Sequence, residues 1–322
     1  MRDAQGRRIG YLRLSVTDRC NCRCAYCMPA DGVPMLSHDD VCSFEELARI
    51  TEACCELGVS KVRLTGGEPL VRRGLPGLVR MLREVPGVRE LAMTTNATLL
   101  APVAAELRAA GLDRLNVSLD SLRPERYAAI TRGARLDDAL AGLRAAGDAG
   151  FTGTKVNCVL MGGVNDDEVA DIAALARDQP VDVRFIELMP IGPAARWPQA
   201  RFLPAEAVLE AVPELEPVAS DDVGPARDGV AELFSVPGWA GRVGLIRPMS
   251  HRFCAGCTRI RVTADGRLKP CLHSADEVSL RGLGGRELRE ALLAGIALKP
   301  AHHDMDGTHA SDSARAMNEI GG

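Results

Sequence analysis

The sequence is poor in aromatic residues and has no long apolar segment. Aromatic residues make up 3% of the 322 residues, which is too few to predict stacking platforms for nucleic-acid bases. No apolar run reaches the roughly 18 residues of a membrane-spanning helix. The first ten residues, MRDAQGRRIG, lack the apolar segment of a secretory signal. We therefore expect a cytoplasmic protein that binds neither nucleic acid nor a membrane.

Two further absences concern phosphate binding. The P-loop pattern G-x4-G-K-[ST] does not occur in the sequence, so a nucleotide would not be held by such a loop. The formal net charge is -4, which gives no general attraction to anions. An anionic substrate would therefore have to meet a local group of cationic side chains.

The first two-thirds of the chain alternates short apolar segments with amphipathic ones. Six β/α units in series predict a parallel sheet or barrel with right-handed crossovers. Beyond about residue 190, segments rich in Pro and Gly interrupt the pattern at 189–204 and 220–230, and a hairpin within 258–272 and a helix near 285–297 follow. The strands are predicted at 11–17, 60–65, 89–95, 114–119, 154–160 and 182–188. The helices are predicted near 43–57, 76–84, 101–110, 124–149 (as two helices) and 166–177.

Cysteine is abundant and clustered. Eleven cysteines, an odd number, do not indicate a secreted disulfide framework, and tight clusters in a reducing compartment more often bind metal. Cys20, Cys24 and Cys27 follow the first strand in C-x3-C-x2-C spacing. Three thiolates can ligate three irons of a [4Fe–4S] cluster and leave the fourth iron open. The alternative is a zinc knuckle with a distant fourth ligand. Cys22 is left over and is interpreted as a small buried hydrophobic residue.

A second group of three cysteines lies near the C-terminus. Cys254, Cys257 and Cys271 have C-x2-C-x13-C spacing. His251 or His273 would complete a Cys3His zinc site. The other interpretation is a second iron–sulfur cluster with an open iron.

Charged and polar side chains recur on one face of several predicted strands. Residues two apart share a face of a strand, and an ordinary barrel fills its interior with branched apolar residues. Isolated buried charges are costly, so this pattern predicts a solvent-filled lumen for an anionic ligand. The alternative is that some of these residues lie at solvated edges. The residues concerned are Arg13, Lys61, Arg63, Asn116, Ser118, Asp120, Lys155, Asn157, Arg259 and Arg261.

Together, these motifs resemble the GTP 3′,8-cyclase family of the radical S-adenosylmethionine (SAM) superfamily. The resemblance runs nearly end to end. One departure is TTNA, where the family usually has TTNG, and it concerns a local turn. The segments that carry the resemblance are YLRLSVTDRC, CAYCMP, VRLTGGEPL, TTNA, NVSLDSL, KVNCVLM, NDDE, FIELMP, FCAGCTRIRVTADG and the terminal IGG.

The resemblance implies an α/β fold, an incomplete (β/α)6 TIM-like barrel of the radical SAM type with a C-terminal cluster-binding region. Residues 1–215 would form the partial barrel, and residues 216–322 the auxiliary-cluster and substrate-binding region. Two [4Fe–4S] clusters and SAM are the implied cofactors. The first cluster would be ligated by Cys20, Cys24 and Cys27, and the second by Cys254, Cys257 and Cys271.

It also implies roles for other residues. The positions where the family contacts SAM are Tyr26, Gly67, Ser118 and Met189. The substrate positions are Arg13, Arg63, Thr94, Lys155, Arg259, Ile260 and Arg261. Catalytic roles fall on Arg13, Arg259 and Arg261.

The implied reaction is the first step of molybdopterin biosynthesis. A 5′-deoxyadenosyl radical abstracts the C3′ hydrogen of GTP, and the C3′ radical then attacks C8. The implied partners are GTP, a flavodoxin- or ferredoxin-like electron donor and the next enzyme of the pathway, with the protein a monomer or homodimer. One alternative is a radical SAM enzyme that modifies a peptide by means of an auxiliary cluster. A non-catalytic zinc-binding interaction protein is another.

Two C-terminal features remain. Gly321 and Gly322 would form a frayed end by default, or their lack of side chains would let the backbone thread into the lumen. The family resemblance favours threading. The stretch that contains His302, His303 and His309 has no regular ligand spacing and is predicted to be an exposed loop.

Overall fold

The computed structural model describes residues 1–218, 230–305 and 309–321. Strands β1 to β12 are Tyr11–Ser15, Lys61–Thr65, Glu90–Thr95, Arg114–Ser118, Lys155–Leu160, Asp182–Glu187, Glu216–Pro217, Glu232–Ser235, Arg242–Ile246, Arg259–Val262, Arg267–Lys269 and Val278–Ser279. Helices α1 to α10 are Phe44–Glu56, Leu75–Glu84, Ala104–Ala109, Pro124–Thr131, Leu136–Asp148, Val169–Ala173, Leu175–Asp178, Glu206–Ala211, Gly285–Ala297 and Met317–Ile320.

All these strands belong to one sheet with the order β12-β11-β10-β1-β2-β3-β4-β5-β6-β9-β8-β7. From β10 to β9 every neighbouring pair is parallel. Antiparallel strands follow at both edges. The six predicted β/α units are confirmed, and the C-terminal region adds strands beside both β1 and β6.

Strand alternation separates two faces of this sheet. Leu12, Leu14, Val62 and Leu64 are fully buried and pack in the apolar core. Helix α1 covers part of this core, and it begins at Ser43, which forms the expected capping box with Glu46. The apolar face is therefore covered by helices, and the charged side chains occupy the opposite face.

The structure departs from the predicted elements mainly after residue 160. The helix predicted at 166–177 is a 3-10 turn at Asp166–Glu168 followed by α6 and α7. Strands β7, β8, β9 and β12 were not predicted. Strands β7, β8 and β12 have only two to four residues each, and β9, which has five, follows a region rich in Pro and Gly. Most of the predicted loop at 220–230 lies outside the described residues, and the boundary between 215 and 216 stays a prediction.

Candidate functional site

A cavity of about 340 Å³ lies against the polar face of the sheet. Both groups of cysteines line it: Cys20, Cys24, Cys27, Cys254, Cys257 and Cys271. The other predicted site residues that line it are Arg13, Tyr26, Arg63, Gly67, Thr94, Ser118, Lys155, Met189, Arg259 and Arg261. Residues from both ends of the chain therefore converge on one site.

Ile260 is placed differently. Its side chain is fully buried in the apolar core, because it alternates with Arg259 and Arg261 along β10. The substrate role that the family resemblance implies for Ile260 stays a prediction. Any substrate contact from Ile260 would have to come from its backbone.

The strand register explains how the cations come together. Arg13 pairs in register with Arg63 on β2 and with Arg261 on β10, so three guanidinium-bearing residues stand side by side on one face. Lys61 lies two residues before Arg63 on the same face of β2, in register with Tyr11, and forms an ion pair with Glu90 at 3.2 Å. We call the cationic strand residues that line the cavity the cationic wall; they are Arg13, Lys61, Arg63, Lys155, Arg184, Arg259 and Arg261. Lys299, which lies outside the strands, also lines the cavity.

Arg184 had not been singled out from the sequence, although a usable signal was present. The strand predicted at 182–188 places Arg184 on the same face as Asp182, and its neighbour on β5 is Asn157. Alternation along that strand would have identified it.

Burial makes the cationic wall electrostatically costly. Within the described residues, the Nε atoms of Arg63 and Arg184 are buried without a hydrogen-bond partner, as is the Thr94 hydroxyl. Burial, reinforced by nearby Arg184, lowers the pKa of Lys155 to about 6. Buried donors and crowded positive charge are both relieved by a polyanion. The wall is suited to a ligand with several negative charges.

The first cysteine loop is fixed against the turn that follows β2. A Cβ atom on Gly67 would lie 2.3 Å from the carbonyl oxygen of Arg19, so only glycine permits this contact. The next residue, Glu68, accepts hydrogen bonds from the Thr95 hydroxyl at 2.8 Å and the Asn96 amide at 2.7 Å. These contacts hold the loop in place.

Tyr26 is also anchored. Its hydroxyl donates to Asp120 Oδ2 at 2.8 Å, and the other oxygen of Asp120 accepts from the Val159 amide at 2.9 Å. Burial nevertheless raises the pKa of Asp120 to about 6. Sequence reasoning had placed Asp120 on the polar face but had not predicted this contact.

The pKa of Cys257 in the second group is shifted in the opposite direction from those of Cys20 and Cys27 in the first. Burial raises the pKa of Cys27 to about 12. Hydrogen bonding to Cys22 and burial likewise raise the pKa of Cys20 well above its usual range. At Cys257, by contrast, the effect of burial is outweighed by Arg259 and Lys299, which lower the pKa to about 6. Thiols are ligands as thiolates, so the first group must lose protons when a cluster binds.

Cys22 is buried, as expected, but it also lines the cavity. Its sulfur accepts a hydrogen bond from Asn96 Nδ2 at 3.3 Å. It lies beside the first group without sharing its spacing.

The histidines around the second group are now placed. His273 lines the cavity, whereas His251 is exposed. His302 and His309 are exposed as predicted, but His303 is buried and contacts His273 edge to face, with ring centroids 5.0 Å apart. In the described part of the chain, no three His, Cys, Asp or Glu side chains are gathered around a single metal-ion position. In an iron–sulfur cluster each thiolate ligates a different iron, so its ligands need not converge on one point.

The C-terminal tail enters the cavity region. Gly321 is buried, and its carbonyl oxygen accepts a hydrogen bond from Arg261 Nη1 at 2.7 Å. Asn318 donates to the Asp18 carbonyl at 3.0 Å. Arg315, which lies earlier in the tail, forms ion pairs with Asp265 and Glu277. The frayed-end interpretation is wrong as far as Gly321, and Gly322 lies outside the described residues.

The residues fit the two implied clusters by their donor chemistry. Each group offers three thiols that line one cavity, which suits a cluster with one open iron. Gly67 keeps the backbone beside the first group free of a side chain, and the cationic wall faces the second group.

Comparisons with known proteins agree with this site. Residues 14–176 match the model of the radical SAM superfamily, and residues 181–305 match Molybdenum Cofactor Synthesis C. The GTP 3′,8-cyclase of Peptoclostridium acidaminophilum is 48% identical over 99% of this chain and 98% of its own. The GTP 3′,8-cyclase of Alkaliphilus metalliredigens is 46% identical over the full length of both chains.

Solved structures support the fold. SuiB of Streptococcus suis bound to S-adenosylmethionine matches with a TM-score of 0.63 and 14% identity, covering 90% of this chain and 66% of that one. SuiB bound to the precursor peptide SuiA matches with a TM-score of 0.65 and 13% identity, covering 90% and 67%. The partial TIM-like barrel is therefore confirmed.

Across the described ranges, no helix is both long and apolar enough to cross a membrane.

The family models cover most of the chain, and the full-length relatives lie far above 30% identity. The chain therefore belongs to the radical SAM superfamily and, within it, to the GTP 3′,8-cyclase family.

Proposed function

We propose that this protein is a radical SAM GTP 3′,8-cyclase, which converts GTP to 3′,8-cyclo-7,8-dihydro-GTP in the first step of molybdopterin biosynthesis. One observation carries the proposal: two groups of three cysteines and a cationic wall line the same cavity. Full-length relatives that bear this name support it.

The N-terminal side of the cavity would hold the first cluster and SAM. Cys20, Cys24 and Cys27 would ligate the cluster, and Tyr26 and Gly67 would border SAM together with Ser118 and Met189. When bound, the cluster and SAM supply a carbon-centred radical that abstracts a hydrogen atom. The Tyr26–Asp120 hydrogen bond fixes this side of the cavity, and Gly67 keeps it open to the ligand.

The opposite side would hold the second cluster and GTP. Cys254, Cys257 and Cys271 would ligate the cluster close to Arg259 and Arg261. The cationic wall would neutralise the triphosphate and satisfy its own buried donors. Arg63, Thr94 and Lys155 belong to this substrate set, and we add Lys61 and Arg184 on the basis of their position. The wall would also exclude water from the reactive ribose.

Arg13, Arg259 and Arg261 are the proposed catalytic residues. All three lie on adjacent strands, and Arg261 contacts the buried C-terminal tail. Fixed guanidinium groups at this position would orient the nucleotide and stabilise charge that develops on it.

A peptide-modifying enzyme and a non-catalytic zinc-binding protein agree less well with these observations. The likeness to SuiB concerns the fold alone, and a wall of buried cations suits a triphosphate better than a peptide. A non-catalytic zinc-binding protein is contradicted by membership of the radical SAM superfamily.

The reaction also requires an electron donor and an enzyme that takes up the product. We infer that a flavodoxin- or ferredoxin-like protein supplies the electron, and that the product passes to the next enzyme of the pathway. We also infer a cytoplasmic location. All eleven cysteines are free thiols, and thiols persist in reducing compartments. A monomer or homodimer remains our expectation.

The proposal is tested by removing the second group of cysteines. Joint replacement of Cys254, Cys257 and Cys271 by Ala should remove about half of the iron, retain reductive cleavage of SAM and abolish formation of the cyclised nucleotide. Cys55→Ala, at a site outside the cavity, is the control and should behave like the wild type. A triple variant that keeps its full iron content would contradict the assignment.

A further inference from the structure

The lysines of this chain are all internal. The sequence contains four, Lys61, Lys155, Lys269 and Lys299, and every one is buried. Two belong to the cationic wall, and Lys269 forms an ion pair with Glu277 at 3.2 Å. Lys299 is 3% exposed, yet in the described residues it forms no ion pair with a carboxylate. Because a buried ammonium group needs compensation, its other contacts reveal its role.

Those contacts all belong to the second cysteine group. Lys299 Nζ donates to the carbonyl oxygens of Arg259 and Pro270, both at 2.8 Å. Its third contact is Cys257 Sγ at 3.6 Å. Arg259 follows Cys257 by two residues, and Pro270 directly precedes Cys271. An ammonium group has three donors, and here all three are directed at the two segments that carry these cysteines.

The third cysteine is tied to the same stretch of chain by Arg7. Its Nη1 donates to the Cys254 carbonyl at 2.9 Å and to the Ala301 carbonyl at 3.0 Å. Its Nη2 donates to the Pro300 carbonyl at 2.6 Å, and Asp3 holds the same guanidinium at 2.6 Å. Residues 299–301 therefore connect all three segments that carry the second group.

We propose that Lys299 is a positioning residue of the C-terminal iron–sulfur cluster, which donates a hydrogen bond to the Cys257 thiolate and fixes the segments of Cys257 and Cys271. The inference rests on the proposed function only in that these cysteines ligate a cluster. Hydrogen bonds to ligand sulfurs withdraw negative charge and make a cluster easier to reduce. Lys299 should therefore raise the reduction potential of this cluster and slow its loss.

The test compares variants of the full chain after anaerobic reconstitution. Lys299→Met removes the donor and the charge. It should lower the midpoint potential of the C-terminal cluster in an EPR-monitored redox titration and accelerate several-fold the release of about half of the iron to a chelator. Added SAM identifies the N-terminal cluster, because only its EPR signal should change. The midpoint of that cluster and reductive cleavage of SAM should stay as in the wild type.

Two further variants separate positioning from general destabilisation. Lys299→Arg keeps a charged donor and should restore part of the potential. Lys269→Met removes the other buried lysine of this region, whose hydrogen bonds go to the Ser274 carbonyl and Glu277. It should lower the potential less than Lys299→Met does, because only Lys299 donates directly to a ligand sulfur. Should Lys299→Met fail to fold, Lys299→Gln, which removes the charge but keeps a donor, should still have a lower midpoint potential than Lys299→Arg.

The outcomes distinguish this inference from the proposed function. A wild-type protein with only one cluster would overturn the proposed function. Two clusters with an unchanged potential and unchanged iron release in Lys299→Met would overturn the role of Lys299 alone.

Discussion

Replacement of Gly321 by Ala should uncouple the C-terminal tail from the cavity. Gly321 has a φ of +76°, and an added Cβ would lie 2.5 Å from Thr65 Oγ1. The tail must therefore shift, and the hydrogen bond from Arg261 to the Gly321 carbonyl is then lost. We expect less cyclised product from a protein that still folds and still carries both clusters.

The size of the effect follows from two contributions. A left-handed backbone costs about 1 kcal/mol or more for a residue with a Cβ. A hydrogen bond to a charged group contributes about 1.5 kcal/mol or more. Together they amount to roughly 2.5 kcal/mol or more, which corresponds to at least roughly 70-fold in the population of docked tails. Global stability should hardly change, because the affected contacts lie at the chain end.

The assay measures cyclised nucleotide and 5′-deoxyadenosine under anaerobic conditions, with iron content and thermal melting as controls. Gly282→Ala is the matched control, since Gly282 has a φ of +73° and, among the described residues, no heavy atom would lie within 4 Å of a Cβ added there. It should carry the same backbone strain and retain full turnover. Wild-type turnover in Gly321→Ala, or an equal loss in Gly282→Ala, would refute the role of the tail.

Four further predictions concern the cavity itself. Cys22→Ala should retain iron and SAM cleavage, whereas Cys24→Ala should lose both; loss of the first cluster in the Cys22 variant would show that the wrong three cysteines were chosen. GTP binding at neutral pH should take up a proton at Lys155, because its pKa is lowered to about 6 in the free protein and a triphosphate favours the charged form; calorimetry in buffers of different ionisation enthalpy should detect this uptake, and Lys155→Met should lack it. The same depressed pKa means that the unfolded chain binds more protons between about pH 6 and the ordinary lysine value of 10.5, so the contribution of Lys155 to stability should rise with pH across that window. Single Ala variants of three residues of the cationic wall, Arg63, Arg259 and Arg261, should raise the KM for GTP while they keep both clusters. Normal kinetics in all three variants would contradict the assignment of these residues to the substrate.

Much of the site could be predicted because the chemistry leaves local patterns. Strand alternation placed Arg13, Arg63 and Lys155 on one face, and the cavity contains all three. Cysteine spacing separated the two groups from the remaining cysteines. The terminal glycines allowed either a frayed or a threaded tail, the family resemblance favoured threading, and Gly321 is buried against Arg261.

The remaining features depend on contacts between distant parts of the chain. Strand β9 is a five-residue segment whose place beside β6 is set only by tertiary pairing. The role of Lys299 depends on Cys257 and Pro270, 42 and 29 residues away. The family motif places Ile260 among the substrate positions, whereas strand alternation buries its side chain in the core, so a contact to substrate would involve its backbone. Local patterns therefore predicted which strand face is polar and which cysteines form the two groups. They did not predict the long-range contacts that position these residues.

The most direct test of the account is the fate of the C3′ hydrogen of GTP. The reconstituted protein is incubated with SAM, a reductant and GTP deuterated at C3′, and both products are analysed by mass spectrometry. The account predicts that deuterium appears in 5′-deoxyadenosine and that the nucleotide product is 3′,8-cyclo-7,8-dihydro-GTP. Unlabelled 5′-deoxyadenosine together with unchanged GTP would contradict it.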